Sequence, residues 1–236
     1  MNDKISIIVP TINEVDNIFP TIAKINDIFE EIKIKYEIIF VDDMSTDGTL
    51  EHLIKLEKEN KIKLIIIKKK QGLGNSLLEG YKSASGDYIL FLDCDLSINV
   101  DDIKRIISAR SPGCIVIGSR YKSKSKLINV DRTRIILSYM INIIYSKIFI
   151  MKAIDLSHSF RIVPNIKLDI SPRTLSHPGF FWELSYLHKN YYGLELKEIP
   201  ITFYNRQSGI TKNSLIRMVK SLLFSIFAII NYIIKN

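Results

Sequence analysis

Five short, nearly continuous apolar runs, each followed by an amphipathic stretch, constrain the first half of this chain more than any other feature. They lie at residues 5–9, 36–41, 62–67, 87–92 and 114–118. A strand with one face in water alternates apolar and polar residues, whereas a strand covered on both faces is apolar throughout. The pattern therefore predicts an α/β fold: a mostly parallel sheet flanked by helices. After residue 120 the rhythm changes. A basic loop leads into an apolar helix over about 135–153, and then a polar and aromatic stretch carries Asp155, Phe160, Arg161, Trp182 and Glu183. One more strand is expected at 195–201, and a C-terminal helix from near Asn213.

Apolar residues make up 47% of the chain and charged residues 25%, which supports a packed core and excludes disorder as the main state. Cys94, Cys114 and four scattered histidines form neither a disulfide framework nor a zinc spacing, so a reduced, cytosolic setting is expected. The first apolar run is too short for an export signal.

The formal charge of +8 is unevenly spread. Arg120, Lys122, Lys124, Lys126, Arg132 and Arg134 crowd one stretch against the single acid Asp131. Tyr121 is the only aromatic among them, so no nucleic-acid partner is expected, and the stretch suits a phosphate or an anionic lipid. The uncharged run at 221–234 is shorter than the roughly 20 apolar residues of a membrane span. Its length suits a helix lying in a membrane interface.

Open α/β sheets bind ligands beyond the carboxyl ends of their strands. Pro10, Asn13 and Glu14 follow the first run, Asp42 and Asp43 the second, and Asp93, Cys94 and Asp95 the fourth. Carboxylates crowded on one rim repel unless a cation or hydrogen-bond donors compensate. Asp93 and Asp95, two residues apart, suit an oxygen-ligated Mg²⁺ or Mn²⁺ with open positions for a substrate phosphate; they equally suit a turn or a helix cap. The stretch from Asp43 resembles a calcium loop only at its start, because its twelfth position is Ile54 and a strand precedes it. Asp47 is instead expected to cap the next helix, with Gly48 relaxing the turn. Gly72 and Gly74 lack the third glycine of a dinucleotide fingerprint, which leaves a tight turn or a phosphate contact at Gly74.

SIIVPTINE, IIFVDDMSTDGT, GLGNSLLEGYKSASGDYILFLDCDL and GSRY occur in this order at fitting separations. Together they resemble the family 2 glycosyltransferases of GT-A fold, and within them the dolichyl- or polyprenyl-phosphate hexose synthases. The resemblance covers roughly residues 4–213. It implies that Pro10, Asn13, Glu14, Asp42, Asp43 and Gly74 belong to the nucleotide-sugar set, with Asp93, Cys94 and Asp95 forming the DxD segment that handles diphosphate and Mg²⁺ or Mn²⁺. A Gln commonly follows as a further metal ligand, and its place is taken here by Ser97. Arg120, Arg134, Ser138, Arg206 and Lys212 resemble the acceptor-phosphate set, with Asn142 one turn beyond Ser138. DLSHSFR departs from D-x-x-S-G-F-R at Ser159, FFWE departs from F-Q-x-E at Phe181, and RQSGITK has Thr211 for Ser.

The resemblance implies an inverting, metal-dependent transfer of a hexose, mannose or glucose, from GDP-mannose, UDP-glucose or a similar donor to a polyprenyl or dolichyl phosphate. The expected setting is the cytoplasmic face of a membrane. Arg120, Arg134, Asp93 and Asp95 would carry the catalysis. Such an acceptor is already anionic near pH 7, because its second pKa is about 6. A hydroxyl acceptor is the alternative and would need Asp155 or Glu183 as base. An inactive nucleotide-sugar-binding membrane adaptor is a third reading. Residues 1–213 would form the catalytic domain, with an interfacial helix inserted at about 130–153, and 214–236 a membrane-associated helix. His158 and His177 are expected to be structural or exposed, and Cys94 a spacer.

Overall fold

The computed structural model describes residues 3–68, 72–95, 97–168, 179–205 and 215–235. Arg206, Lys212, Thr211 and His177 lie outside them. In chain order the elements are β1 (Lys4–Thr11), α1 (Ile18–Ile32), β2 (Lys35–Asp42), α2 (Thr49–Lys58), β3 (Lys63–Ile66), α3 (Leu73–Ser83), β4 (Tyr88–Phe91) and α4 (Val100–Ser108). There follow β5 (Cys114–Ser119), β6 (Lys126–Ile128), α5 (Arg132–Ile148), β7 (Arg161–Pro164), α6 (Phe180–Tyr192), β8 (Glu195–Pro200), β9 (Thr202–Tyr204) and α7 (Leu215–Lys235).

Seven strands form one sheet in the order β3-β2-β1-β4-β7-β5-β8. The first four in sequence are mutually parallel, as are β5 and β8. β7 runs antiparallel to both of its neighbours. Each apolar run becomes a strand because it is covered twice: Ile7 and Val9 pack into one core layer, and Ile8 between them into the other. Each such isoleucine contributes on the order of 1.5–3 kcal/mol.

Helix α1 shows how the layers close. Ile18, Ile22, Ile25 and Phe29 recur every three or four residues on its buried face, and Lys33 ends it at φ 55 with its N–H returned to the Phe29 carbonyl. At Gly86 the chain passes so close to β1 that an added Cβ would lie 2.6 Å from the Lys4 carbonyl oxygen. Only glycine fits there.

Three expectations are corrected. The stretch holding Phe160, Arg161, Trp182 and Glu183 contains a central strand and a helix, β7 and α6. Four residues that open on a charge are too few to show a period. A second sheet pairs β6 with β9 in parallel, joining the basic stretch to the chain just before residue 206. Helix α5 covers Arg132–Ile148 instead of 135–153, and it is not evenly apolar. It buries Ser138, Ile141, Asn142 and Tyr145, while Ile136 is 59% exposed and Met140, Ile144 and Ile148 also face outward. α7 packs beside it, burying Leu222, Ser225 and Ile229 and exposing Leu223, Phe224 and Phe227. Among the described residues no helix is long and apolar enough to cross a membrane.

Candidate active site

The rim begins where β1 and β2 end side by side, with Thr11 opposite Asp42. Asn13, at φ 55, ties the two loops together: its side-chain oxygen accepts the Thr46 N–H at 2.8 Å and its own N–H donates to Ser45 Oγ at 2.9 Å. Asp42 is fully buried, and both its oxygens accept from Ser45. It therefore shapes the loop. Asp43 accepts the Gly72 N–H at 3.2 Å, linking this loop to the start of α3. Gly72 sits at φ +85, so it serves the tight turn, and Gly74 is buried in the first turn of the helix. Glu14 is buried, its N–H bound to Thr49 Oγ1 and its carboxylate to Asn17. Pro10 is half-buried at the end of β1. Asp47 accepts the N–H groups of Val15 and Thr49 and the Thr49 hydroxyl; burial would raise its pKa, and these donors hold it below the usual carboxylate range. Gly48, at φ 98, is the helix cap residue itself.

Beyond β4, Asp93 and Asp95 are half-exposed on the rim, while the Cys94 side chain turns into the core. The Cys94 carbonyl accepts from Thr21, as a spacer's would. Ser159 Oγ donates to Asp93 Oδ2 at 2.7 Å, and the Ser97 N–H donates to Asp95 Oδ1 at 3.1 Å. Ser97 itself is buried, with its carbonyl held by the Tyr204 N–H. Two half-exposed carboxylates are a hard-oxygen donor set that fits Mg²⁺ or Mn²⁺, ions that take one or two carboxylates and complete their shell with water and phosphate oxygens. Among the described residues no group of three His, Cys, Asp or Glu side chains could hold a metal. A metal here would complete its shell with water and substrate oxygens.

Arg120 follows β5 and is locked to Asp155. Its backbone N–H reaches Oδ2 at 2.7 Å, its Nε the same oxygen at 3.0 Å and its Nη2 reaches Oδ1 at 2.7 Å. Asp155 is 0% exposed. Burial alone would raise its pKa, but the guanidinium holds it below the usual range. Burial would lower Arg120, and Asp155, with a smaller contribution from Asp93, more than offsets this and raises it. Asp155 is thus committed to Arg120, and Glu183 is also 0% exposed, in the first turn of α6.

Arg134, Ser138 and Asn142 do share one face of α5. Asp131 caps the helix through the Thr133 N–H at 2.9 Å, and Arg134 is half-buried in its first turn. Ser138 Oγ receives the Tyr121 hydroxyl at 2.7 Å and Arg120 Nη2 at 3.4 Å. Asn142 is a structural hub: its amide donates to the Ser138 carbonyl and Ser157 Oγ, and its oxygen accepts from the Ser157 N–H and Trp182 Nε1.

Arg161 is the largest fully buried side chain. Its guanidinium donates to the carbonyls of Leu156, His158 and Phe181 and to Ser185 Oγ, and it stacks 4.6 Å over the Phe181 ring. Burial lowers its pKa to about 9. His158 bonds the Gly118 carbonyl at 2.9 Å, and burial lowers its pKa to about 3. Sequence reasoning missed Ser159, Tyr121, Phe203 and Glu198. Phe203 lies 5.8 Å from the Arg120 guanidinium, and Glu198 accepts the Asp155 N–H at 2.7 Å. For Ser159 the signal was the departure from glycine in DLSHSFR, and for Tyr121 its place in GSRY; Phe203 and Glu198 left none.

The profile of Glycosyl transferase family 2 matches residues 6–165, more than half of the chain. A dolichol-phosphate mannosyltransferase of Pyrococcus furiosus is 31% identical over 211 residues, which are 89% of this chain and 59% of that protein. An undecaprenyl-phosphate 4-deoxy-4-formamido-L-arabinose transferase of Photorhabdus laumondii is 29% identical over 56% of this chain and 44% of its own length. The chain thus spans about half the length of these relatives. Among solved structures, the mannosyl-3-phosphoglycerate synthase of Rubrobacter xylanophilus matches 99% of this chain and 74% of its own with a TM-score of 0.68 at 13% identity. The glucosyl-3-phosphoglycerate synthase of Mycobacterium tuberculosis, in complex with Mn²⁺, UDP and phosphoglyceric acid, matches 97% and 78% with a TM-score of 0.62 at 16% identity. At such identities the likeness concerns the fold alone. With its rim of carboxylates beyond a mostly parallel sheet and a family match over residues 6–165, this chain belongs to glycosyltransferase family 2.

Proposed function

We propose that this glycosyltransferase moves a hexosyl group, mannosyl or glucosyl, from a nucleoside-diphosphate sugar to a polyprenyl or dolichyl phosphate at a membrane surface, with inversion. The observation that carries the reading is the sealed Arg120–Asp155 pair. A hydroxyl acceptor needs a carboxylate base, and both carboxylates nominated for that work are fully buried. A phosphate monoester needs none, being already largely dianionic near its working pH.

In this scheme an acceptor phosphate oxygen forms a bond to the anomeric carbon as the bond from that carbon to the diphosphate breaks. The nucleoside diphosphate leaves with the electron pair. Asp93 and Asp95 would hold a divalent ion that neutralises charge on the diphosphate. Arg120, its orientation set by Asp155, and Arg134 would face the acceptor phosphate, with Arg206 and Lys212 as further cations. Asn13, Glu14 and Asp43 would frame the nucleotide. The relatives named for dolichol phosphate and undecaprenyl phosphate support the acceptor class. The outward apolar residues of α5 and α7, among them Ile144 and Phe227, support peripheral attachment to the membrane. Residues 1–213 would then be the catalytic unit and 214–236 its membrane-associated helix.

The test is transfer from a panel of labelled nucleotide sugars to a short polyprenyl phosphate, to the matching polyprenol and to free glycans, with Mg²⁺ or Mn²⁺ and with chelator. Chelator-sensitive product on the phosphate alone is expected. Product on the polyprenol or a glycan would refute the acceptor assignment, and silence across the panel would favour a binding protein.

A further inference from the structure

We infer that Ser159 is a positioning residue for Asp93, orienting this carboxylate for the divalent ion and diphosphate. The inference rests on the metal-holding role proposed for Asp93 and Asp95. Ser159 Oγ donates to Asp93 Oδ2 at 2.7 Å, and both residues are half-buried on the same rim. A hydroxyl donor at this distance fixes the rotation of a carboxylate and occupies one lone pair, so it decides which of the remaining lone pairs face the ligand.

The backbone that carries this hydroxyl is held at every neighbouring residue. Asp155 is paired with Arg120. Ser157 gives its N–H to Asn142 Oδ1 at 2.9 Å and receives the Asn142 amide on its hydroxyl at 2.8 Å. His158 is tied to the Gly118 carbonyl, and Arg161 gathers the carbonyls of Leu156 and His158 at 2.7 and 2.6 Å. Residues 155–161 thus form a braced segment with two working ends. One end fixes the Arg120 guanidinium through Asp155, and the other fixes Asp93 through Ser159. An exposed serine on a free loop would exchange its partner with water. Here its hydroxyl stays in place.

The Ser97 side chain is buried. Ser159 approaches the same carboxylate pair through Asp93.

The test is Mn²⁺ binding to the protein saturated with GDP or UDP, followed by calorimetry or by the Mn²⁺ electron paramagnetic resonance signal, together with thermal midpoints. Loss of one hydrogen bond to a charged group should weaken binding about tenfold in Ser159→Ala. Ser159→Thr, which keeps the hydroxyl, should stay within about twofold of the parent protein, and all three should melt alike. Native Mn²⁺ affinity in Ser159→Ala would overturn the inference, as would equal losses in both variants with lowered midpoints, which would mark a packing defect. Asp93→Asn separates the two levels of the argument. Loss of binding there with native binding in Ser159→Ala refutes the role of Ser159 alone; native binding in Asp93→Asn refutes the metal assignment and this inference with it.

Discussion

Asp155→Asn should be among the most damaging single substitutions near the site, and its cost follows from the geometry. The carboxylate accepts three N–H groups of Arg120, at 2.7, 3.0 and 2.7 Å, and has no contact with solvent. The Arg120 side chain is 12% exposed, so water cannot replace the lost counter-charge. Breaking one partner of a buried pair costs about 3–5 kcal/mol, and Asn keeps one acceptor oxygen, so about 3 kcal/mol is expected. For a chain of this size that lowers the melting midpoint by about 6–12 °C.

Guanidinium chloride unfolding at pH 7 measures this directly, and a double-mutant cycle isolates the pair. Arg120→Met should cost a similar amount, because it strands the carboxylate. Removing both charges in Arg120→Met/Asp155→Asn should cost less than the sum of the singles by about 3 kcal/mol. Additive singles, or a loss below about 1 kcal/mol in Asp155→Asn, would refute the claim that this pair holds the site together. The pH dependence has a definite sign. The folded-state pKa of Asp155 is depressed, so the pair's contribution is complete above the unfolded value of about 4 and is lost only as pH falls through the lower folded value. A loss from this pair at pH 5 would also refute it.

Burial holds His158 at about 3 and His188 at about 4 against an ordinary 6.5, so the unfolded chain takes up protons below pH 6.5 that the folded chain does not. Stability should fall by up to about 1.4 kcal/mol per pH unit for each histidine, and neither ring should titrate by NMR between pH 7 and 5; a ring titrating near 6.5 sinks the argument. Gly118→Ala would bring a Cβ to 2.5 Å from the Phe160 ring and 3.0 Å from Ile201, for a cost of about 1–3 kcal/mol in denaturant unfolding. A change under 0.5 kcal/mol there would mean the approach relaxes freely. Ile144→Glu and Phe227→Glu, both on the outward faces of α5 and α7, should reduce co-sedimentation with anionic vesicles by at least about tenfold while leaving unfolding free energy within about 0.5 kcal/mol. Unchanged vesicle binding in the pair would reject these helices as the membrane contact.

The parallel half of the sheet was legible because burial on both faces leaves a mark in composition: Ile7, Ile8 and Val9 are all apolar since each meets a core layer. The rim carboxylates were legible for the related reason that strand ends define where ligands bind. β7 left no such mark. It opens on Arg161, which in isolation marks a surface, and only the carbonyls of Leu156, His158 and Phe181 make a buried guanidinium tolerable there. Partners far apart in sequence were hidden for the same reason. Asp155 has the residue type of a base, but Arg120 lies 35 positions away and decides that it is a counter-ion.

Helix α5 shows the deeper limit. A helix on a water-soluble protein turns its apolar stripe inward, and periodicity arguments assume this direction. Here the inward face mixes Ile141 and Tyr145, which join the core, with Ser138 and Asn142, which bind Arg120, Tyr121, Ser157 and Trp182, and the outward stripe is Ile136, Met140, Ile144 and Ile148. Apolar residues on both faces make the helix read as apolar and say nothing about which face meets the core. The site's demand for polar side chains sets the inner face. What an apolar outer face costs in water is the same quantity that would bind it to a lipid surface, so under the proposed function the residues that hide the direction of this helix in sequence would be its membrane contact.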